Sequence, residues 1–344
     1  MLAFLPALRG RVSQILGIAI LAVLGLWLIV NFVKTPAAFT SVFLSGLTNG
    51  AVYALVALGY TLVYGIIELI NFAHGDVFMW GTMMSVLLGV NLFGLDGSQS
   101  GIVTAGALLV VLLGAMAFCG VLNVTIERVA YRRLRNAPRL APLITAIGVS
   151  FILQNLGAVF FGFNYRQADN ILPSGALFHI GHSAYREKAL IVLLITIPTL
   201  LAMTFLVQKT RAGKAMRATA QDRDAARMLG IDVDRTIAFT FALGGALAGV
   251  GGFLYVMYFT TTRYDLGFQI GLFAFTAAVL GGIGNLTGAA LGGLMIGLIQ
   301  NFNEGLSWHA PGSDWTQTIV FSILILILVF RPQGLLGEPT ATRA

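Results

Sequence analysis

The stretch LFAFTAAVLGGIGNLTGAALGGLMIGLI, residues 272–299, decides the fold. A helix needs about 20 apolar residues to cross the hydrocarbon core of a bilayer, and this run is long enough. Its middle, however, is interrupted by GGIGNLTG at 281–288. As a single crossing, the run would place Glu304 and Asp314 in the cytoplasm and the C-terminal tail outside. As a re-entrant hairpin broken at 281–288, it returns the chain to the side it came from. The loop 301–314 carries no Lys or Arg, which suits the outside, and Arg331 and Arg343 beyond it suit the inside. The hairpin satisfies both. Non-helical backbone at membrane depth is tolerated only where protein or a water-filled cavity covers it, so the break belongs to a bundle interior.

Composition agrees. Hydrophobic residues make up 57% of the 344 and charged residues 10%. Soluble domains carry about 25% charged residues, so a water-soluble globule and a disordered chain are both excluded. The 41 glycines are aperiodic, which excludes collagen-like repeats and suits close helix approach in a bilayer. The net charge is +7, but the basic residues sit in loops between apolar runs. They read as membrane sorting rather than nucleic-acid binding. The single cysteine, Cys119, lies in an apolar run and has neither a disulfide partner nor a CxxC spacing.

Further runs of spanning length lie at 15–33, 42–67, 77–93, 102–124, 143–163, 189–207, 237–259 and 315–330. The first follows Arg9 and Arg11. It is long for a signal-peptide core and no A-x-A site follows, so it reads as a retained anchor helix. Arg128, Arg132, Arg133, Arg135 and Arg139 crowd one loop, and Lys209, Arg211, Lys214, Arg217, Arg223, Arg227 and Arg235 another. Both loops face the cytoplasm by the positive-inside rule. The expectation is an all-α polytopic membrane protein with about eight transmembrane helices, a broken or re-entrant segment near 272–299, and both termini cytoplasmic. Its parts are an N-terminal extension at 1–40 with an anchor helix, a transmembrane body at 41–337 with a cytoplasmic loop at 209–235, and a tail at 338–344.

The loop KTRAGKAMRATAQDRDAARMLGIDVDR (209–235) is the most informative. Asp222 and Asp224 suit the positive end of a helix dipole. Ala225, Met228 and Leu229 form a short apolar stripe, and Gly230 sits where a helix stops. Ala225 and Ala226 keep one face thin. These features together describe a docking helix for a partner groove; a solvated connector would not need them.

The segment ELINFAHGD (68–76) places Glu68, Asn71, His74 and Asp76 at the edge of an apolar run. Ionisable groups there usually face a bundle interior or a cavity. An interfacial turn in which Asn71 and His74 bond freed backbone groups, and a role in gating, both fit. Pairing His74 with Asp76 gives no enzyme, since no nucleophile stands at a defined spacing, and one His with carboxylates gives no metal site. Gln154 and Asn155 read as buried partners for interhelical hydrogen bonds. Gly213-Lys214 is followed by Ala215, so no Walker A loop exists and no cofactor is expected.

Read together, residues 58–79 (LGYTLVYGIIELINFAHGDVFM), 144–155 (ITAIGVSFILQN), 212–235, 274–293 (AFTAAVLGGIGNLTGAALGG) and 331–337 (RPQGLLG) resemble the integral-membrane permeases of bacterial ABC importers for branched-chain amino acids. The chain looks closest to the first of that family's two homologous permeases. The resemblance implies an ATP-driven importer in the plasma membrane. Its partners would be a homologous second permease, two cytoplasmic ATPase subunits and an extracytoplasmic solute-binding protein. Asp224, Ala225, Ala226 and Gly230 match the family's EAA-x-x-x-G coupling loop, with Asp in place of Glu; Arg217, Asp222 and Arg227 flank it. A sister group carrying urea or short amides shares these motifs. The two breaks in long apolar runs point to a translocation path or gate near Asn71, His74, Asp76, Thr276 and Asn285. A stand-alone secondary transporter or channel is the alternative, with Glu68 and Asp76 as its candidate coupling charges.

Overall fold

The computed structural model describes residues 22–68, 71–95, 101–135, 137, 138, 140–168, 171, 172, 175–180, 183–331 and 333–337. Residues 1–21, which include the first part of the expected anchor helix, Arg139 and the tail 338–344 lie outside them. In chain order the helices are α1 (Ala22–Lys34), α2 (Pro36–Ile67), α3 (Ala73–Val86, extended to Leu92), α4 (Gly101–Ile126, extended to Leu134), α5 (Leu140–Phe161), α6 (Glu187–Lys209), α7 (Arg211–Gln221), α8 (Arg223–Met228), α9 (Val233–Phe259), α10 (Leu266–Gly281), α11 (Leu286–Gly305) and α12 (Thr316–Phe330). Among the described residues, seven helices are long and apolar enough to cross a membrane: α2, α3, α4, α5, α6, α9 and α12 with its leading turn.

Thr35 separates α1 from α2 in a non-helical conformation, because the residue before a proline is pushed out of the helical region. Pro36 then starts α2, where its missing N–H costs nothing. The end of α1 is tied to the far loop. Trp27 Nε1 donates to Trp308 O at 3.0 Å, and Trp308 N donates to Asn31 Oδ1 at 3.1 Å.

The 272–299 run is two helices. α10 begins six residues earlier than its strongly apolar core, at Leu266, and ends at Gly281. Gly282 and Gly284 take φ of +105° and +95°, conformations that favour glycine, and Asn285 caps α11 by accepting from Gly288 N at 3.0 Å. The two helices then run antiparallel, with Gly281 against Gly288 and Gly292 against Ala277. The segment 331–337 closes this break: Leu335 N donates to Leu280 O at 2.8 Å and Leu336 N to Gly281 O at 3.0 Å. Those carbonyls end α10 and have no partner within it. Two of the sequence motifs, GGIGNLTG and RPQGLLG, therefore form one structural unit.

α2, α3, α9, α10 and α11 form the buried centre, while α4, α5, α6 and α12 turn most of their apolar surface outward. Between Gly50–Ala54 and Gly293–Gly297 the α2–α11 seam is made of backbone. A Cβ on Gly50 would lie 2.7 Å from Leu294 Cα, and Gly297 and Gly293 press equally on Gly50 and Ala54. Small residues allow this approach, and van der Waals contact holds it where lipid supplies no hydrophobic drive. The loop 164–188 carries short strands at the end of the bundle opposite α8. β1 (Arg166–Gln167) pairs with β4 (Thr261–Thr262), and β2 (Ala176–Ile180) with β3 (Ser183–Arg186), both antiparallel.

Candidate functional site

The 209–235 loop folds into α7, α8 and the start of α9, and each helix begins on a side-chain cap. Thr210 Oγ1 accepts from Gly213 N at 3.1 Å, Asp222 Oδ1 from Asp224 N and Ala225 N at 2.9 and 3.0 Å, and Asp232 Oδ1 from Arg235 N at 3.0 Å. Each cap satisfies a donor that the first helical turn leaves free. Gly230 ends α8 at φ +81°. Its N–H bonds Arg227 O at 3.0 Å, and Ile231 N bonds Ala226 O at 3.0 Å, the paired bonds of a Schellman motif. Ala226 is buried and seats α8 on the body, while Met228 and Leu229 are 83% and 79% exposed. Arg227 pairs with Asp224 on the outer surface at 3.0 Å. Arg217 instead donates to Val207 O, so it braces α6 against α7 and does not flank the outer surface of α8.

Arg223, which was not among the sequence candidates, turns inward and donates through Nη2 to Ile66 O, 3.2 Å away at the end of α2. Beside it lies a charge network between the ends of α4 and α9: Arg132 pairs with Asp234, and Arg135 with both Asp234 (2.6 Å) and Glu127. Glu127 is 1% exposed. Its burial is tolerated because Arg135, itself 11% exposed, meets it directly.

From Ile66 the chain enters the 68–76 break. Glu68 ends α2 with φ +53°, and α3 restarts at Ala73 with His74 N bonded to Asn71 O at 3.0 Å. Asn71 Oδ1 accepts from Tyr131 OH at 2.7 Å, linking the break to the end of α4. His74 and Asp76 are both completely buried, yet they serve opposite sides of α3. His74 packs against Tyr60 of α2, ring centroids 4.8 Å apart, and beside Gly59. Asp76 faces Gly267 of α10 and the Ser150–Gln154 side of α5. At about 100° per residue, an i,i+2 pair cannot share a helix face.

The other two path candidates lie on α10 and at the start of α11. Thr276 is buried and bonds its own helix at Leu272 O (2.8 Å). Asn285 caps α11 and donates to Leu336 O at 2.8 Å, so it braces the α10–α11 turn against the 331–337 segment. Gln154 donates one turn back to Ser150 on the side of α5 that faces Asp76, while the expected interhelical bond of the outward-facing Asn155 is replaced by a local one to Phe151 O. Among the described residues no group of three His, Cys, Asp or Glu side chains could hold a metal ion.

Residues 42–329 match the family model described as branched-chain amino acid transport system / permease component. The chain is 40% identical over 306 residues to the high-affinity branched-chain amino acid transport system permease protein LivH of Escherichia coli K12, covering 86% of this chain and 94% of that one. It is 38% identical over 302 residues, with the same coverage, to BraD of Pseudomonas aeruginosa. Identity to a probable LivH of Methanocaldococcus jannaschii is 26%, over 82% of this chain and 88% of that one.

Proposed function

The chain belongs to the permease components of branched-chain amino acid transport systems, and from that premise we propose that it forms one half of the pore of an ATP-driven importer. Its solute is a branched-chain amino acid, as the names of its relatives state for them. A homologous second permease forms the other half of the pore. Two cytoplasmic ATPase subunits drive it, and an extracytoplasmic binding protein delivers the solute. Both termini lie in the cytoplasm, with α7 and α8.

The observation that supports this reading best is α8. Six residues, capped at both ends, present Met228 and Leu229 to solvent beyond the membrane body. An apolar pair held on so short and rigid an element suits insertion into a partner's groove. Asn71, His74 and Asp76 lie at the gate, where α2 gives way to α3. The buried Asp76 carboxylate is the group that can meet a solute ammonium transiently, without the tight site that would slow release.

The test is reconstitution in proteoliposomes with the candidate second permease, ATPases and binding protein. ATP-dependent uptake of labelled leucine is expected, abolished when the ATPases are omitted. The isolated chain should hydrolyse no ATP. Uptake that persists without ATPases and follows an ion gradient would overturn the reading in favour of a secondary transporter.

A further inference from the structure

Arg223 stands between two clefts. One, of about 440 Å³, lies between the end of α2 and the α7–α8 junction, with Ile66, Glu68, Gln221 and Arg223 among its walls. The other, of about 320 Å³, lies under α8 against the charge network, with Arg223, Arg227 and Asp234 among its walls. Ala226 seats α8 on the body, and a cleft opens on either side of Arg223. Across that space the Arg223 guanidinium reaches Ile66 O, a carbonyl in the last turn of α2. Such carbonyls lack a partner within their own helix and carry the negative end of its dipole, so a fixed cation binds there well. Two residues on, Glu68 turns the chain through φ +53°, and the break then leads to Asn71, held by Tyr131, and to His74.

We propose that Arg223 is the positioning residue that transmits movement of α8 to the gate. Resting on the importer reading above, it assigns the mechanical link within that machine. The docking surface of α8, at Met228 and Leu229, faces away from the body, while Arg223 on the same helix faces into it. A partner that shifts α8 pulls on the end of α2 through this hydrogen bond. The clefts beside Arg223 leave it room to follow α8, and the displacement reaches Glu68, the left-handed residue that ends α2.

The test uses the complete complex with a Cys119→Ala permease carrying Glu68→Cys, and two readouts. The first is the rate at which a maleimide labels position 68 with and without a non-hydrolysable ATP analogue. The second is leucine taken up per ATP hydrolysed. With Arg223 present, the analogue should change the labelling rate. Arg223→Ala should copurify with the ATPases and hydrolyse ATP, yet lose the labelling response and about tenfold in uptake per ATP. Arg223→Lys, which keeps a cationic donor, should recover part of both. An analogue response equal with and without the arginine overturns the proposal. So does failure of both variants to copurify, which would make Arg223 a docking residue. Absence of leucine uptake alongside a labelling response that depends on Arg223 would count against the solute and leave the link standing.

Discussion

The imidazole of His74 occupies the space that a side chain on Gly59 would need. A Cβ at position 59 would lie 2.6 Å from His74 Cε1 and closer still to Nε2. The two residues fit one another as knob and socket between α3 and α2. Gly59→Ala should therefore destabilise the folded chain by about 1–3 kcal/mol, the usual cost of overpacking a tight interior. His74→Ala in the same chain should recover much of that loss. Thermal unfolding of the four chains in detergent closes the double-mutant cycle, and additive effects would show that the contact is not shared.

Gly230→Val meets open space, since nothing lies within 4 Å of its Cβ. Its cost is in the backbone, because φ +81° disfavours any β-branched residue by roughly 1–2 kcal/mol. The end of α8 should fray and displace Met228 and Leu229. The variant should reach the membrane in normal amounts and copurify poorly with the ATPases, whereas Gly230→Asn should copurify nearly as the parent does.

The charge network at the end of α4 separates buried from exposed pairing. Removing Arg135 (Arg135→Ala) leaves the Glu127 carboxylate buried without its partner and should cost about 3–5 kcal/mol. Arg132→Ala breaks a pair in which both partners are nearly half exposed and should cost no more than about 1 kcal/mol. Equal losses on thermal unfolding would mean that Glu127 is better solvated than its position indicates.

Ser313 and Gln333 bracket α12. In a Cys119→Ala background, Ser313→Cys should react with an impermeant maleimide from outside the cell and Gln333→Cys only after the membrane is opened. The reverse pattern would invert the whole topology.

Much of this architecture was legible in the sequence. Hydropathy marked the helices, and the break at 281–288 was visible as glycine and asparagine inside an apolar run. Asp222 and Gly230 marked both ends of α8, because capping is a local matter that composition records. Partner choice across the bundle was not legible. Nothing near Asn71 points to Tyr131, 60 residues away, and nothing in the arginine-rich loop distinguishes Arg135, which meets Glu127, from its exposed neighbours. Thr276 was a polar interruption whose bond turned out to be local, to Leu272, whereas Asn285 caps its own helix at Gly288 and also reaches Leu336, 51 residues on. One signal was present and unused: the i,i+2 spacing of His74 and Asp76 already places them on opposite sides of a helix.

The seam between α2 and α11 limits how this protein can move. Where Gly50, Gly293 and Gly297 bring two backbones together, there are no side chains to change rotamer and accommodate a slide. α2 and α11 must travel as a single rigid beam, joined through Trp308 to α1 at one end and through Gly65, beside Gly284, to the α10–α11 turn at the other. Any alternation between inward and outward access has to be a swing of that beam about its ends, and its lever arm is set by glycine.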